Sequence, residues 1–332
     1  MRKIFKLIIM FVICLVALLT RGAVQAASND FNVTPVIPEN QQSDVMSYFD
    51  LKVAPKQTQT LSITISNQSD TEQTYKVVVN TATTNENGIV DYSISDVELD
   101  ETMKYSLKDL IKVSNEAIVI PANSEDEVSM ALTVPSEPFS GVLLGGVTIA
   151  PATTESSEGI NNVFTRTLAI QLRENDEVVT PELTAGDVTV KQDNLHNTIQ
   201  IALSNVTPTL INNIKAHIKV TKENSDDVIF EETKEQLSFA PNSKFDLTSN
   251  WSEQFKAGKY NYAIELVDNK EHLWQFSKDF EIAAEVAKEL NQTSVDVKSK
   301  QINWLYIAIG LVILLVALVI IDIKIMLSRK KR

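Results

Sequence analysis

The 332 residues predict an all-β protein: two tandem sandwiches, with a secretion signal in front and a single transmembrane helix behind. Three observations carry this. Period-2 apolar runs recur on both sides of a polar stretch, a short apolar run follows N-terminal cations, and a longer one precedes a basic tail.

Leu7–Leu19 is apolar behind Arg2, Lys3 and Lys6, and is too short to span a bilayer comfortably. Val24-Gln25-Ala26 places small residues before a cut at Ala27, so residues 1–26 read as a signal peptide. The single Cys14 lies inside that run. Once the run is cleaved, the chain can form no disulfide, no thiolate metal site and no cysteine nucleophile, so each module must rest on an apolar core.

The first module is expected over 28–151. Leu61-x-Ile63-x-Ile65, Tyr75-x-Val77-x-Val79 and Val128-x-Met130-x-Leu132-x-Val134 alternate as half-buried strands do. Asn87-Gly88 marks a turn with positive φ, and only Ser106–Val113 reads as irregular or briefly helical. The polar stretch 151–159 reads as a linker. A second module over 160–285 then carries Leu168-x-Ile170-x-Leu172, Ile199-x-Ile201-x-Leu203, Ile214-x-Ala216-x-Ile218-x-Val220 and Tyr260-x-Tyr262-x-Ile264-x-Leu266. Short strands with regular turns and no long helical pattern fit antiparallel sandwiches. An internal echo, Pro121-Ala122-Asn123-Ser124 against Ala240-Pro241-Asn242-Ser243, each ahead of a strand, suggests two similar immunoglobulin-like modules.

Residues 286–301 read as a stalk, with Ile282, Val286 and Leu290 at helical spacing. Ile302–Ile321 has the length of a membrane span, with Trp304 and Tyr306 at its start. Residues 322–332 form a basic tail. The positive-inside rule puts this tail in the cytoplasm and residues 27–301 outside, as a single-pass type I surface protein. In a Gram-positive cell the ectodomain then stands in the wall space.

The net charge is −13, and each terminal segment carries +4, leaving −21 on residues 27–321. Such a body repels phosphates, which excludes nucleic acid as a partner. The three histidines, His196, His217 and His272, show no metal-ligand spacing. No nucleophile elbow or phosphate loop occurs, and the one Ser-x-x-Lys, Ser328 to Lys331, sits in the tail. No enzyme, cofactor or metal is expected. Asn85-x-Asn87-Gly88 with Asp91 lacks the leading Asp and closing Glu of a calcium loop and reads as a hairpin. Thr83, Thr84, Asn85 and Asn87 are neutral hydrogen-bonding side chains, of the kind that suits the hydroxyls and amides of a sugar or peptide. With Tyr92 and Glu39-Asn40-Gln41 they are the expected ligand-binding residues. Gly141, Gly145 and Gly146 are unusual in a strand and read either as close packing or as an edge open to a partner strand. Trp251 and Trp274 read as core.

Several ordered motifs resemble the WxL-interacting protein family of Gram-positive bacteria. They are Phe31–Gln41, Tyr48-Phe49-Asp50-Leu51, Ala82–Gly88 and Pro138–Gly146 in the first half. In the second half they are Ala169–Arg173, Ala240–Ser243, Ala257–Tyr260, and Trp274 before Phe280. The resemblance implies a peptidoglycan-binding first domain, a second domain that binds host surface or matrix proteins, and association with WxL-domain proteins. Together these make a non-catalytic surface scaffold. The alternative is an extracytoplasmic chaperone or assembly factor that adds a strand near Gly141–Gly146. With −21 on the ectodomain among anionic wall polymers, binding is expected to rest on hydrogen bonds and shape.

Overall fold

The computed structural model describes residues 30–42, 44–95, 98–152 and 163–296. The expected signal peptide, membrane helix and basic tail lie outside the described residues. Among the described residues no helix is long and apolar enough to cross a membrane.

The chain is all-β, in two sandwiches. One sheet of the first has the order β1 (Phe31–Val36), β3 (Thr58–Asn67), β9 (Ser124–Thr133), β7 (Ile111–Val113). The facing sheet has the order β2 (Phe49–Lys52), β11 (Arg166–Arg173), β10 (Leu143–Pro151), β4 (Gln73–Thr81), β8 (Ala117–Ile120). Alternation does the work here. Leu61, Ile63 and Ile65 of β3 and Val128, Met130 and Leu132 of β9 point inward onto Tyr75, Val77, Val147, Ile149 and Ile170. Each such side chain contributes about 1.5–3 kcal/mol on burial. A short hairpin of β5 (Thr83–Thr84) and β6 (Val90–Asp91) leaves the end of β4. One helical turn, α1 (Leu107–Leu110), occupies the segment expected to be irregular or briefly helical.

The second sandwich sets β12 (Leu183–Asp193), β13 (His196–Asn205) and β16 (Ser243–Asn250) against a four-stranded sheet. That sheet runs β15 (Val228–Phe239), β14 (Ile211–Lys222), β17 (Gly258–Val267), β18 (Leu273–Ile282). Ile199, Ile201, Leu203, Ile214, Ile218, Tyr262 and Leu266 fill the core. Trp251 is buried and stacks on Phe230 at 5.1 Å, and Trp274 packs half-buried on the same core.

Two expectations about the division of the chain are corrected. The sequence places Leu168–Leu172 in a second module starting at 160, but β11 belongs to the first sandwich. It pairs antiparallel with β10 (Leu143↔Leu172 to Ile149↔Arg166) and parallel with β2, and it buries Ile170 and Leu172 in the first core. Asp50 on β2, 5% exposed, meets Arg173 of β11 at 2.6 Å and accepts from Gln171 Nε2 at 3.0 Å, which pins the parallel pair. The polar stretch 151–159 therefore connects two strands of one sheet, and residues 174–182 join the sandwiches. The expected stalk is also partly structural. α2 (Ala284–Thr293) lays Ala287 and Leu290 on the second core. Its Asn291 side chain accepts from Phe255 N at 2.9 Å and donates to Phe255 O at 2.8 Å.

Candidate functional site

The residues expected to meet ligand at Thr83–Asn87 form a turn that faces the second sandwich. Asn85 Oδ1 accepts from the N–H groups of Asn87 and Ile89 at 3.0 and 3.1 Å, and Gly88 takes φ 73°, as the Asn-Gly pair requires. Thr83 and Thr84 are only 5% and 6% exposed. The Thr84 hydroxyl accepts from Ala240 N at 2.9 Å and from Ser243 Oγ at 3.0 Å, and Ser243 Oγ in turn accepts from Thr84 N at 2.9 Å. Thr248 N donates to Glu86 O at 2.9 Å, and Ser238 N donates to Gly88 O at 2.8 Å. The Glu86 carboxylate meets Lys191 at 2.8 Å. A Cβ on Gly88 would lie 3.1 Å from Leu237 and Leu247, so the bare glycine lets the tip rest on the second core. The hairpin thus lies along the edge of β16 and closes the gap to β15. Thr84 is bonded across a seam between modules, and Thr83, beside it, is buried and borders a small pocket with Thr81, Ser106 and Lys108. Asn85 is half-buried with its amide used in the turn, and Asn87 is exposed.

Tyr92 sits on the same seam. Its carbonyl accepts from Asn80 Nδ2 at 2.8 Å, and its ring packs with Ala82, Leu144, Ala240 and Leu210. Gly146 lies directly beneath it, where a Cβ would come 3.1 Å from the Tyr92 ring. The partner-edge reading is corrected for Gly145 and Gly146, because β10 is the middle strand of its sheet, paired on both sides. A Cβ at Gly145 would collide with the Asn80 carbonyl and with Leu107 of α1. Gly141, at φ 74°, lets Pro208 of the second sandwich approach, and Val142 N donates to Pro208 O at 2.8 Å. Close packing accounts for all three.

Asn40 and Gln41 hold their own loop. Asn40 Nδ2 donates to Gln59 Oε1 at 3.0 Å, and Gln59 Nε2 returns a bond to Asn40 Oδ1 at 2.8 Å. Gln41 Nε2 donates to Tyr48 O at 3.1 Å, and its Oε1 accepts from Asp50 N at 3.1 Å. Glu39 is exposed. This group sits against β2, at one edge of the five-stranded sheet, and the seam residues follow β4 near the other edge. The structure does not bring the two expected clusters together.

The structure reveals an open groove of about 620 Å³ on the first sandwich that sequence reasoning missed. Lys112 on β7 pairs with Ala131 on β9, and both face outward from the core. The turn of α1 raises Leu110 beside them, with Tyr105 just before it. Lys56, at φ 64°, donates its N–H to Pro135 O at 3.0 Å, and Val134 and Pro135 complete the floor. Lys104 lies 5.1 Å over the Tyr105 ring and bonds Glu137 at 2.7 Å. That contact raises the Lys104 pKa and lowers that of Glu137. Lys56 and Lys112 have no carboxylate partner among the described residues. The only sequence signal was the irregular segment before β7. Lys56 and Lys112 lie far apart in the chain, and no periodicity joins them.

Each histidine has found a carboxylate: His196–Asp296 at 2.9 Å, His217–Glu231 at 2.8 Å and His272–Asp268 at 2.8 Å. Among the described residues no three His, Cys, Asp or Glu side chains converge as a metal site.

Comparison with known proteins matches residues 31–150 to the family described as WxL Interacting Protein, peptidoglycan binding domain, and residues 155–292 to WxL Interacting Protein, host binding domain. No curated protein matches the chain. Among solved structures, a chain of the chaperone–tip adhesin complex of CFA/I fimbriae biogenesis is 9% identical. It covers 75% of this chain and 98% of its own, with TM-score 0.33. The E. coli chaperone DraB is 14% identical, covering 76% and 98%, with TM-score 0.30. The YadV chaperone is 9% identical, covering 76% and 100%, with TM-score 0.31.

Proposed function

The chain belongs to the WxL Interacting Protein family, and from that premise we propose a non-catalytic surface scaffold. Its first sandwich holds peptidoglycan, and its second holds a host surface or matrix protein. WxL-domain proteins associate with the pair, and Ile302–Ile321 fixes the whole to the membrane with the basic tail in the cytoplasm. One observation above all supports this reading. Within the stretch matched to the peptidoglycan-binding domain lies an open groove with an aromatic floor and unpaired ammonium groups on its rim. A groove of this kind binds a solvated polymer by shape and short-range contacts, without needing long-range attraction.

The test is retention of the full chain, in mild detergent, on purified peptidoglycan. Retention is expected to fall about five- to tenfold for Tyr105→Ala, as removal of an aromatic floor predicts. Release of soluble fragments from labelled wall would sink the non-catalytic reading, and equal retention of Tyr105→Ala would move the site elsewhere. The assembly-factor alternative depended on an open edge near Gly141–Gly146. Gly145 and Gly146 lie in β10, which is paired on both sides, so strand addition there has no open edge to use.

A further inference from the structure

We propose that the first-sandwich groove reads a free carboxylate on the peptide part of peptidoglycan, and not its sugars. The Lys56 and Lys112 ammonium groups hold that carboxylate, and Tyr105, Leu110, Val134 and Pro135 take the aliphatic part of the same peptide. This rests on the reading that the first sandwich binds peptidoglycan.

The lysines come first. The body of the chain carries −21, and some of its lysines meet a carboxylate (Lys52 with Asp176, Lys104 with Glu137, Lys215 with Glu235, Lys244 with Glu98) while others stand free of one among the described residues. Lys56 and Lys112 line one groove and meet none among the described residues. Their placement is built by the fold. Lys112 is directed outward by its register with Ala131, and Lys56 is held by a left-handed turn tied to Pro135. Two ammonium groups against one carboxylate, Asp109, leave the groove's lining net positive, which favours an incoming anion.

The second argument is chemical. Peptidoglycan offers a glycan of hydroxyl and acetamido groups and short peptides that carry carboxylates. Of the neutral side chains suited to the glycan, the Thr84 hydroxyl is committed to the seam and the Thr83 hydroxyl to Asp91 O of its own hairpin. The first-sandwich groove has instead an apolar floor and cationic rim, the complement of an alkyl chain ending in a carboxylate. Asp109 also lines the groove, so an amide N–H or an amine of the bound peptide would face it while the carboxylate faces the lysines. That polarity sets the direction in which the peptide lies. The long-range repulsion by the acidic body and the short-range pairing respond to salt in opposite senses, so salt does not discriminate, and chemical blocking of the carboxylates does.

The test uses the full chain in mild detergent and peptidoglycan freed of phosphate polymers, either untreated or with its carboxylates converted to neutral amides. Untreated material is expected to retain the protein about five- to tenfold better than amidated material. The double variant Lys56→Gln/Lys112→Gln is expected to lose that advantage on untreated wall and to lose nothing more on amidated wall, with its thermal midpoint unchanged. Lys56→Arg/Lys112→Arg is expected to restore retention. Equal retention on both materials overturns the inference while leaving peptidoglycan binding in place. Retention only on wall that keeps its phosphate polymers overturns it in favour of a phosphate ligand. No retention on any wall preparation sinks the underlying reading of the first sandwich.

Discussion

Asn67 ends β3 with its side chain buried, 1% exposed, and it organises a corner. Its Nδ2 donates to the carbonyls of Thr71, Ile120 and Pro121 at 2.8–3.0 Å, and its Oδ1 accepts from Ser69 N and Oγ. Asn205 ends β13 in the same way: it donates to Thr209 O and Ala240 O at 2.7 and 2.9 Å and accepts from Thr207 N and Oγ1. Each sits opposite the serine that follows a left-handed asparagine, in the pairs Asn67↔Ser124 after Asn123 and Asn205↔Ser243 after Asn242. The Pro-Ala-Asn-Ser echo made half of this corner legible. The buried asparagine across from it was not legible, because Ser-Asn at a strand end reads only as a turn. Asn67→Ala removes a buried donor shared by three carbonyls, of which Thr71 O keeps the Ser69 hydroxyl, and should cost about 1–3 kcal/mol, seen as a lower urea midpoint with unchanged slope. Asp268 gives a pH signature. Burial works against its charge, but the His272 imidazole and the backbone N–H groups of His272 and Lys270 together outweigh burial and lower its pKa. As pH falls, the unfolded chain therefore takes up this proton first. The contribution is complete above the unfolded carboxyl pKa of about 4 and is lost as pH drops through the lower folded value. Asp268→Asn should flatten the loss of stability below about pH 4, read from urea midpoints across that range.

Among the elements, strand existence was legible because apolar alternation is local. Leu61–Ile65, Val128–Leu132 and Tyr260–Leu266 all form the strands that their period demands. Which sheet a strand joins is not local. Leu168–Leu172 satisfies period 2 equally well in either sandwich, and only its pairing with β10 and β2 decides. The β5–β6 hairpin shows the same limit. Its Asn-Gly turn was legible, but the surface it would meet lies more than a hundred residues away in sequence. A side chain at Gly88 meets both an unfavourable φ and the Leu237–Leu247 surface. Gly88→Val should weaken the seam by about 2–4 kcal/mol and speed hydrogen exchange at β16 amides such as Thr248, whose partner is Glu86 O. Unchanged exchange at Thr248 would mean that the hairpin does not protect this edge.

At the scale of the whole molecule, the two sandwiches are joined by more than residues 174–182. The hairpin, the Val142–Pro208 bond, the contact of Asn242 with Thr102 and the Lys244–Glu98 pair all cross the seam. A seam with buried hydroxyls, a glycine tip and a small apolar cluster links the two units energetically, so the two sandwiches should unfold in one calorimetric transition. Two resolved transitions would show that the seam opens first. The candidate groove was illegible for a related reason: its lysines come from a turn and a strand that only the first sandwich brings together.

α2 docks where β13 begins, near Leu195 and Asn197, and the first sandwich meets the other end, near Pro208. Ten residues of β13 span about 33 Å. One strand thus runs the length of the second sandwich between its two attachments, so a pull applied at α2 and resisted at the first sandwich would load β13 along its axis, shearing its paired neighbours β12 and β16 together instead of unzipping them bond by bond.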